Sequence, residues 1–364
     1  MKNQNAKTLG HRKPLLVVAI LSTAISGSIH RAGAESSSNI VGYVDKNLPA
    51  GWCLIAQPFV TSDPSFSATF QAVPDTTTFY KWNTANANWD IYSYDLALGG
   101  WDPPGAVLNV GQGGFMVMPV AGQVTFTGDV PLGTWNWDYP AGFSLFSPPV
   151  THPAVAFPAQ PSVLLYTYVC GAGGGYNVIT YDEEFGGWNP FVPSFALAEA
   201  ALISLPSPRS WITTFAFVEP ASPGWRLLPP VRIGQQLTLN WVAPPGAPAP
   251  PADVFYTPDL RSSAPWTNLG RSTSGQTQMQ FSSFASPNGF FVLGTLRDTD
   301  GDGITDMQEV LVSQTNPRIW DLDPLGDADG DGIQNYRDAR PFDPAVNWPV
   351  SITIVKPVNG TPIN

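Results

Sequence analysis

The chain has 364 residues, of which 43% are hydrophobic and only 12% are charged, and its formal net charge is −11. This length leaves room for about two to four domains, and the excess of acid disfavours a broad basic surface of the kind that binds nucleic acid. Residues before position 298 are rich in Trp, Phe, Tyr, Pro and Gly. Because this composition favours short strands and tight turns over long helices, we expect an all-β fold.

Residues 1–34 have the features of a secretory signal peptide. Basic residues come first, an apolar run extends over residues 15–25, and Ala32-Gly33-Ala34 supplies the A-x-A cleavage pattern. The apolar run is too short to span a bilayer comfortably. Removal of this segment takes five of the 17 basic residues and no acid, so 12 basic residues face 28 acidic ones, a net charge near −16. We expect export to the periplasm, the cell surface or the medium, with no transmembrane segment in the mature chain.

The next segment contains an internal duplication, marked by three anchors that recur in the same order. Residues 48–55 of the first copy match 139–146 of the second, 94–101 match 181–188, and 125–126 match 214–215. The offsets are 91 residues (139 − 48), 87 (181 − 94) and 89 (214 − 125). Because the offset is nearly constant, we predict two related β-domains, at 40–133 and 134–222.

Each copy contains the motif Y-D-x-x-[L/F]-G-G-W, which ends at Trp101 and at Trp188. The motif is typical of a strand that ends, a Gly-Gly turn with positive φ and a Trp that returns to the core. In the alternative interpretation, the two Trp rings are exposed and stack on the face of a sugar.

Residues 225–296 are predicted to form a small antiparallel β-sandwich. Alternation over residues 237–241 indicates a strand, a Pro/Ala run at 244–251 indicates an extended loop, and four short apolar runs follow before residue 296. Residues 350–364 contain SITIV followed by a Pro and Gly turn, the pattern of a first Ig-like strand. This tail is expected either to pair back onto the body or to begin a further domain.

Segment 298–343 holds 12 of the 28 acidic residues, and nine of these lie in two acidic loops, 298–309 and 327–338. Each loop has oxygen-bearing side chains at positions 1, 3, 5, 9 and 12 and a glycine at position 6. In calcium loops with this spacing, carboxylates converge on one point and a hard cation offsets their repulsion. The predicted metal ligands are Asp298, Asp300, Asp302, Asp306 and Glu309 in the first loop, and Asp327, Asp329, Asp331, Asn335 and Asp338 in the second. The alternative is a disordered acidic linker.

Segment 298–343 resembles the bacterial thrombospondin type 3 repeat, with D-x-D-G-D-G-x-x-[D/N]-x-x-[D/E] in two tandem copies. It departs from an EF-hand because Ile304 and Ile333 occupy position 7 rather than 8, and because no entering helix is predicted before Asp298. The resemblance implies bound Ca²⁺ and an irregular segment with at most short helices. It also implies that the main-chain carbonyls of Ile304 and Ile333 ligate the metal while their side chains pack beneath the loops.

The duplicated region has an N-I-V-G-Y-V start, a P-A-G turn and the G-G-W signature. It resembles a β-repeat without an assigned activity that occurs in exported, modular proteins of environmental bacteria, often upstream of such calcium repeats. The resemblance implies export and a modular architecture, and it implies no particular activity.

Cys53 and Cys170 are the only cysteines. In an exported protein they can form a disulfide. Buried or free thiols are the alternative, because the two residues lie far apart in the sequence and Cys170 precedes a Gly-rich turn.

Enzymatic activity is not expected. His152 is the only histidine after the signal segment and no G-x-S-x-G motif is present, which disfavours Ser-His-Asp hydrolases and zinc sites. A glycoside hydrolase needs only two carboxylates, for which Asp182, Glu183 and Glu184 are candidates. Because the first copy has only Asp95 at this place, a solvated turn is favoured over catalysis.

The sequence therefore predicts a secreted, calcium-binding structural or adhesion-type protein whose calcium loops rigidify an interdomain joint. The expected partners are calcium and an extracellular protein or polysaccharide, with no nucleic acid. The alternative function is that of a carbohydrate-binding accessory region of a longer secreted enzyme.

Overall fold

The computed structural model describes residues 36–147, 162–184, 186–193, 195–215, 224–245, 248–260, 266–282, 284–318 and 333. The predicted signal peptide and the C-terminal residues 350–364 lie outside these ranges. The described chain consists almost entirely of antiparallel strands, with two short helices and one π-helical turn. The prediction of an all-β fold is therefore confirmed.

The first copy of the duplication contains strands β1 to β7 and a short helix, α1 (Phe66–Thr69), between β2 and β3. The strands are β1 (Val41–Leu48), β2 (Gly51–Ala56), β3 (Thr78–Asn83), β4 (Asn88–Asp95), β5 (Gly100–Asp102), β6 (Gly113–Met118) and β7 (Gly122–Asp129). Five of them form a sheet in the order β2-β6-β3-β4-β5, and β1 pairs with β7.

The second copy contains strands β8 to β14. They are β8 (Gly133–Tyr139), β9 (Gly142–Phe146), β10 (Leu164–Tyr168), β11 (Tyr176–Asp182), β12 (Gly187–Asn189), β13 (Ala201–Leu205) and β14 (Arg209–Phe215). Their sheet has the order β9-β13-β10-β11-β12, and β8 pairs with β14. Equivalent strands occupy equivalent places, so the duplication in sequence is also a duplication of topology.

The strand registers refine the alignment of the two copies. Val44 lies opposite Phe126 in the β1–β7 pair, and its equivalent Trp135 lies opposite Thr213 in the β8–β14 pair. Phe126 therefore corresponds to Thr213, whereas the third sequence anchor matches it to Phe215. The two alignments differ by two residues, and a shift of two residues keeps a side chain on the same face of a strand. The alternation of apolar and polar residues in β14 is therefore compatible with both.

The following segment contributes seven strands to two further sheets. They are β15 (Arg226–Leu227), β16 (Val231–Ile233), β17 (Gln236–Val242), β18 (Asp253–Thr257), β19 (Thr267–Arg271), β20 (Gln278–Phe281) and β21 (Asn288–Gly294). Strands β15, β16 and β20 pair with β17 in one sheet. Strands β18, β19 and β21 join β1 and β7 in a central sheet of order β19-β18-β21-β1-β7.

Strand β1 belongs both to the first copy and to the predicted sandwich. Val41 pairs with Asp129 of β7 on one side and with Phe291 of β21 on the other. Ile40 and Val44 face the core of the first copy, while Val41 faces the sheet that contains β17. A strand that is buried on both faces is a central strand of a sheet. Segments 40–133 and 225–296, which the sequence assigns to separate domains, therefore share one sheet.

A disulfide joins Cys53 of β2 to Cys170 in the turn after β10, with 4.4 Å between the two Cα atoms. Beside it, Trp52 forms an isolated bridge with Gly171. The disulfide resolves the choice between a bridge and free thiols, and it links the first copy of the duplication covalently to the second.

Candidate metal centre

The loop after β21 turns at two glycines. Gly301 (φ 78°) and Gly303 (φ 94°) have left-handed backbone conformations, which glycine adopts without steric penalty. Their N–H groups donate to the two carboxylate oxygens of Asp298, at 2.7 and 3.0 Å. The glycine predicted at position 6 is Gly303, so the side chain at position 1 holds the turn at position 6.

Three aspartates of this loop bring their carboxylates together. One ligand oxygen from each of Asp298, Asp300 and Asp302 lies within 4.8 Å of the other two. The Asp302 N–H donates to Asp300 Oδ1 at 3.2 Å, and the Ile304 N–H donates to Asp302 Oδ1 at 2.8 Å. Asp302 and Ile304 are buried, and Asp300 is half-buried. Backbone hydrogen bonds therefore orient the carboxylates of Asp300 and Asp302.

The donors of this triad fit a hard cation. Two carboxylates about 4 Å apart repel by about 1 kcal/mol in water and by about 4 kcal/mol near a protein surface, and a divalent cation between them replaces that repulsion with attraction. Donors that are all oxygen suit Ca²⁺, Mg²⁺ or Mn²⁺ better than zinc or copper. The acidic triad can therefore hold a metal ion.

The remaining two predicted side-chain ligands of this loop lie outside the triad. Asp306 is fully buried, and its carboxylate accepts hydrogen bonds from the Thr299 N–H and Oγ1, both at 2.7 Å. Arg297 Nε lies 3.6 Å from the same carboxylate. Glu309 is also fully buried and accepts a hydrogen bond from Thr315 Oγ1 at 3.3 Å. Asp306 therefore closes the base of the loop through contacts that its spacing in the sequence does not reveal.

A short helix, α2 (Asp306–Gln308), and the π-helical turn Glu309–Ser313 attach the loop to the body. Met307 and Leu311 are buried in the core that also contains residues of the central sheet. The Trp266 N–H donates to the Leu311 carbonyl at 2.8 Å. The loop is therefore anchored on its C-terminal side by apolar burial, which fixes where the triad lies relative to β21.

Asp253 of β18 makes a second connection between the loop and the central sheet. Its carboxylate is 1% exposed and accepts two hydrogen bonds from Arg271, at 2.7 and 3.0 Å, and a longer one from the Thr305 hydroxyl, at 3.4 Å. Thr305 also accepts the Gln308 N–H at 3.3 Å and so caps α2. Sequence reasoning missed these residues. The Thr305-x-x-Gln308 spacing of a capping box was the available signal for Thr305, whereas Asp253 and Arg271 carry no local signal.

The second acidic loop lies almost wholly outside the described residues. Ile333 is described and is half-buried. The predicted ligands that lie outside are Asp327, Asp329, Asp331, Asn335 and Asp338. The geometry above therefore concerns the first of the two predicted metal loops.

The two signature tryptophans are placed differently. Trp101 is 6% exposed, and its ring packs edge-to-face against Phe66 at 5.2 Å. Trp188 is half-buried and packs edge-to-face against Tyr181 at 5.4 Å. Trp101 therefore fills the core, as the turn interpretation of the motif predicts, and presents no open ring face for a sugar.

The candidate catalytic carboxylates lie at a surface turn. Asp182 accepts the Glu184 N–H at 2.8 Å, and the side chains of Glu183 and Glu184 are exposed. His152 lies outside the described residues. In this turn Asp182 stabilises the backbone, which is the structural role that the sequence comparison with Asp95 favours.

Within the described ranges, none of the helices is both long and apolar enough to cross a membrane. Comparison of the chain with protein-family models, with curated proteins and with solved structures finds no match. The loop geometry and its attachment to the central sheet are therefore the basis for a functional assignment.

Proposed function

We propose that this chain is an exported calcium-binding protein with a structural or adhesive role. The observation that carries the proposal is the convergence of Asp298, Asp300 and Asp302 on one point beside the end of β21. An irregular loop with only oxygen donors suits the six to eight ligands of Ca²⁺ better than the strict octahedron of Mg²⁺. The spacing and the resemblance to thrombospondin type 3 repeats support the same ion.

In this proposal the triad holds the ion. The spacing predicts the Ile304 carbonyl, Asp306 and Glu309 as further ligands; because the Asp306 carboxylate accepts hydrogen bonds from Thr299, the Ile304 carbonyl and Glu309 complete the set. The ion neutralises the converging carboxylates. Binding to the folded loop alone stabilises it by RT ln(1 + [L]/Kd), about 2.7 kcal/mol when free calcium is at 100 times Kd. Because Met307 and Leu311 are buried in the body, this energy stiffens the joint between the central sheet and the residues after the loop.

Export is supported by the signal-like first 34 residues and by the Cys53–Cys170 disulfide, a bond that persists in oxidising compartments. A stiff, acidic joint on a β-body suits a protein that presents a surface to an extracellular protein or polysaccharide. Catalysis is not part of the proposal, because the candidate carboxylate of Asp182 accepts a backbone hydrogen bond in a surface turn and Glu183 and Glu184 are exposed.

Thermal unfolding and calorimetric titration of the chain without residues 1–34 test the proposal. Calcium is expected to raise the melting temperature over an EDTA-treated sample, and magnesium at equal concentration is expected to raise it less. Asp302→Asn keeps the side-chain shape but removes one charge, so it should weaken calcium binding by tenfold or more, about 1.4 kcal/mol.

Glu183→Gln is the matched control, because it removes an exposed carboxylate far along the chain from the loop. It should leave the calcium response unchanged. Superposable melting curves with calcium and with EDTA, together with no heat of binding, would refute the calcium assignment.

A further inference from the structure

Two cavities lie where the two copies of the duplication meet. The Trp82 cavity, about 340 Å³, is lined by residues of β3 and β4, by the turn that enters β6, and by Leu145 of the second copy. The Tyr168 cavity, about 250 Å³, is lined by residues of β10 and β11, by the residues that enter β13, and by Leu54 of the first copy. Each copy therefore builds one cavity and contributes a leucine to the wall of the other.

The strand registers place the two cavities at the same position of the repeated fold, because they align β3 with β10, β4 with β11 and β6 with β13. Four lining residues of the first cavity have equivalents in the second: Lys81 corresponds to Thr167, Trp82 to Tyr168, Asp90 to Asn177, and Gln112 to Glu199. Leu54 and Leu145 are also equivalent to each other. Reciprocal contributions of this kind are the mark of a pseudo-two-fold pairing.

The Trp82 cavity offers an aromatic ring beside hydrogen-bonding groups of both kinds. Asn83 Nδ2 donates to Asp90 Oδ2 at 3.0 Å, and the Lys81 ammonium donates to the Val107 carbonyl at 2.8 Å. The indole N–H of Trp82 is buried and has no hydrogen-bond partner in the part of the chain that the structure describes. A buried donor without a partner is costly, whereas the Lys81 ammonium and the Asp90 carboxylate belong to residues that line the cavity.

A continuous series of ring contacts connects the two cavities. The centroid distances are 4.9 Å from Trp82 to Trp89, 5.4 Å from Trp89 to Phe115, and 4.9 Å from Phe115 to Tyr168. Aromatic residues occupy four equivalent positions on this face in both copies: Trp52 and Phe143, Tyr80 and Tyr166, Trp82 and Tyr168, and Trp89 and Tyr176. The junction is therefore a packed aromatic layer with a partly polar cavity at each equivalent place.

We infer that the two cavities bind a neutral saccharide, one ring in each. A pyranose has a C–H face that stacks on an aromatic ring and a rim of hydroxyls that both donate and accept hydrogen bonds, which matches the mixture of groups lining these cavities. The charge of Lys81 is balanced by Asp90 within the same cavity, and the excess of acid in the chain repels polyanions. Two equivalent sites connected by a series of ring contacts suit a ligand of repeated units, an oligosaccharide.

The two sites differ in their polar groups, which predicts different affinities. Asp90 and Lys81 of the first cavity are replaced by Asn177 and Thr167 in the second. Glu199 of the second cavity is already engaged, because Lys46 Nζ lies 2.6 Å from its Oε1 and the Ala196 N–H donates to its Oε2 at 2.9 Å. The hydrogen bonds described for Lys81 and Asp90 go to neutral groups, whereas Glu199 is paired with a cation. Because charge-assisted hydrogen bonds are the stronger kind, we expect the Trp82 cavity to bind more tightly.

The inference is tested by calorimetric titration of the chain without residues 1–34 with neutral tetrasaccharides built from glucose, mannose, xylose or N-acetylglucosamine. At least one is expected to bind with two sites per chain. Trp82→Ala should remove the tighter site and Tyr168→Ala the weaker one, so that each variant keeps one site and the double variant keeps none. Trp52→Ala is the matched control, because Trp52 lies on the same aromatic face but lines neither cavity.

Asp90→Ala and Asn177→Ala provide a second test if an aromatic variant does not fold. Each should weaken binding at its own site about tenfold. Near-ultraviolet circular dichroism checks that each variant is folded. No binding by any of the four tetrasaccharides, or binding that Trp82→Ala and Tyr168→Ala leave intact, overturns the inference. Titrations in calcium and in EDTA should give the same sites, so this result and the calcium proposal can fail independently.

Discussion

The disulfide between Cys53 and Cys170 should supply a large part of the stability of the folded chain. Its sulfur atoms join positions separated by 117 residues. In the chain-entropy model a closed loop of this length destabilises the unfolded state by about 5 kcal/mol at 25 °C. That value is comparable to the whole free energy of unfolding of many domains, about 5–15 kcal/mol, so reduction should be readily measurable.

The direct measurement is guanidinium unfolding followed by Trp fluorescence, with the bridge intact and after reduction. Reduction keeps both sulfur atoms in place, so it isolates the cross-link from the packing of Cys53, which is 1% exposed. Reduction should lower the denaturant concentration at the midpoint. The Cys53→Ala/Cys170→Ala double variant should have a free energy of unfolding about 1 kcal/mol lower than the reduced chain, because it also loses the packing of the sulfur atoms. Calcium is held constant throughout.

Alkylation of the unreduced, unfolded protein provides the control, because a chain with both cysteines bridged takes up no label. The reasoning is refuted if this control shows a formed bridge and yet reduction lowers the free energy of unfolding by less than about 1 kcal/mol, well below the loop-entropy value. Two separate transitions after reduction would show instead that the bridge makes the two copies unfold together.

Two further outcomes are expected. Gly294→Ala should lower the free energy of unfolding by about 1–3 kcal/mol through overpacking, because the added Cβ would lie 2.7 Å from the Cβ of Met307. Gly173→Ala, whose Cβ would meet open space, should be nearly neutral in the same thermal melt. Burial raises the pKa of Tyr139 above its ordinary value of 10.0. The stability that this neutral phenol contributes is therefore complete below about pH 10 and is lost at higher pH. Between about pH 9 and pH 11 the thermal unfolding midpoint should therefore fall less steeply with pH for Tyr139→Phe than for the parent chain.

The duplication could be found in the sequence because its turns carry strong local signals. The Pro-Ala-Gly turns end at Gly51 and Gly142, and both glycines have positive φ, at 101° and 89°. The Gly-Gly turns before Trp101 and Trp188 are equally local. Such positions restrict residue choice strongly, so two copies keep the same letters at the same spacing even where the strands between them differ.

The shared central sheet could not be found in the same way. The pairing of β1 with β21 depends on complementary faces, and the apolar pattern over residues 40–44 fits many possible partners. Asp45 illustrates the difficulty: Arg232 Nε lies 2.6 Å from its carboxylate and both side chains are nearly buried. Nothing near either residue in the sequence indicates this pair, which helps to join the first copy to the segment after residue 225.

The metal loop was predictable in its spacing and only partly in its geometry. The alternation of Asp298, Asp300 and Asp302 with small residues is a local pattern, and the structure brings these three carboxylates together. The position of Asp306 depends on the Thr299 backbone and hydroxyl. Attachment of the loop depends on Met307, whose role is a matter of tertiary packing.

The position of β1 has a consequence for the order in which the chain can fold. Val41 pairs with Phe291, 250 residues later (291 − 41), whereas every strand of the second copy pairs within residues 133–215. The second copy can therefore form early, while one edge of β1 stays open until almost three hundred residues are present. Pairing over such a distance is slow, and an open edge is a site for aggregation. A chain cut before Asn288 would keep that edge exposed, so the central sheet, unlike the second copy, is completed only when β21 has been made.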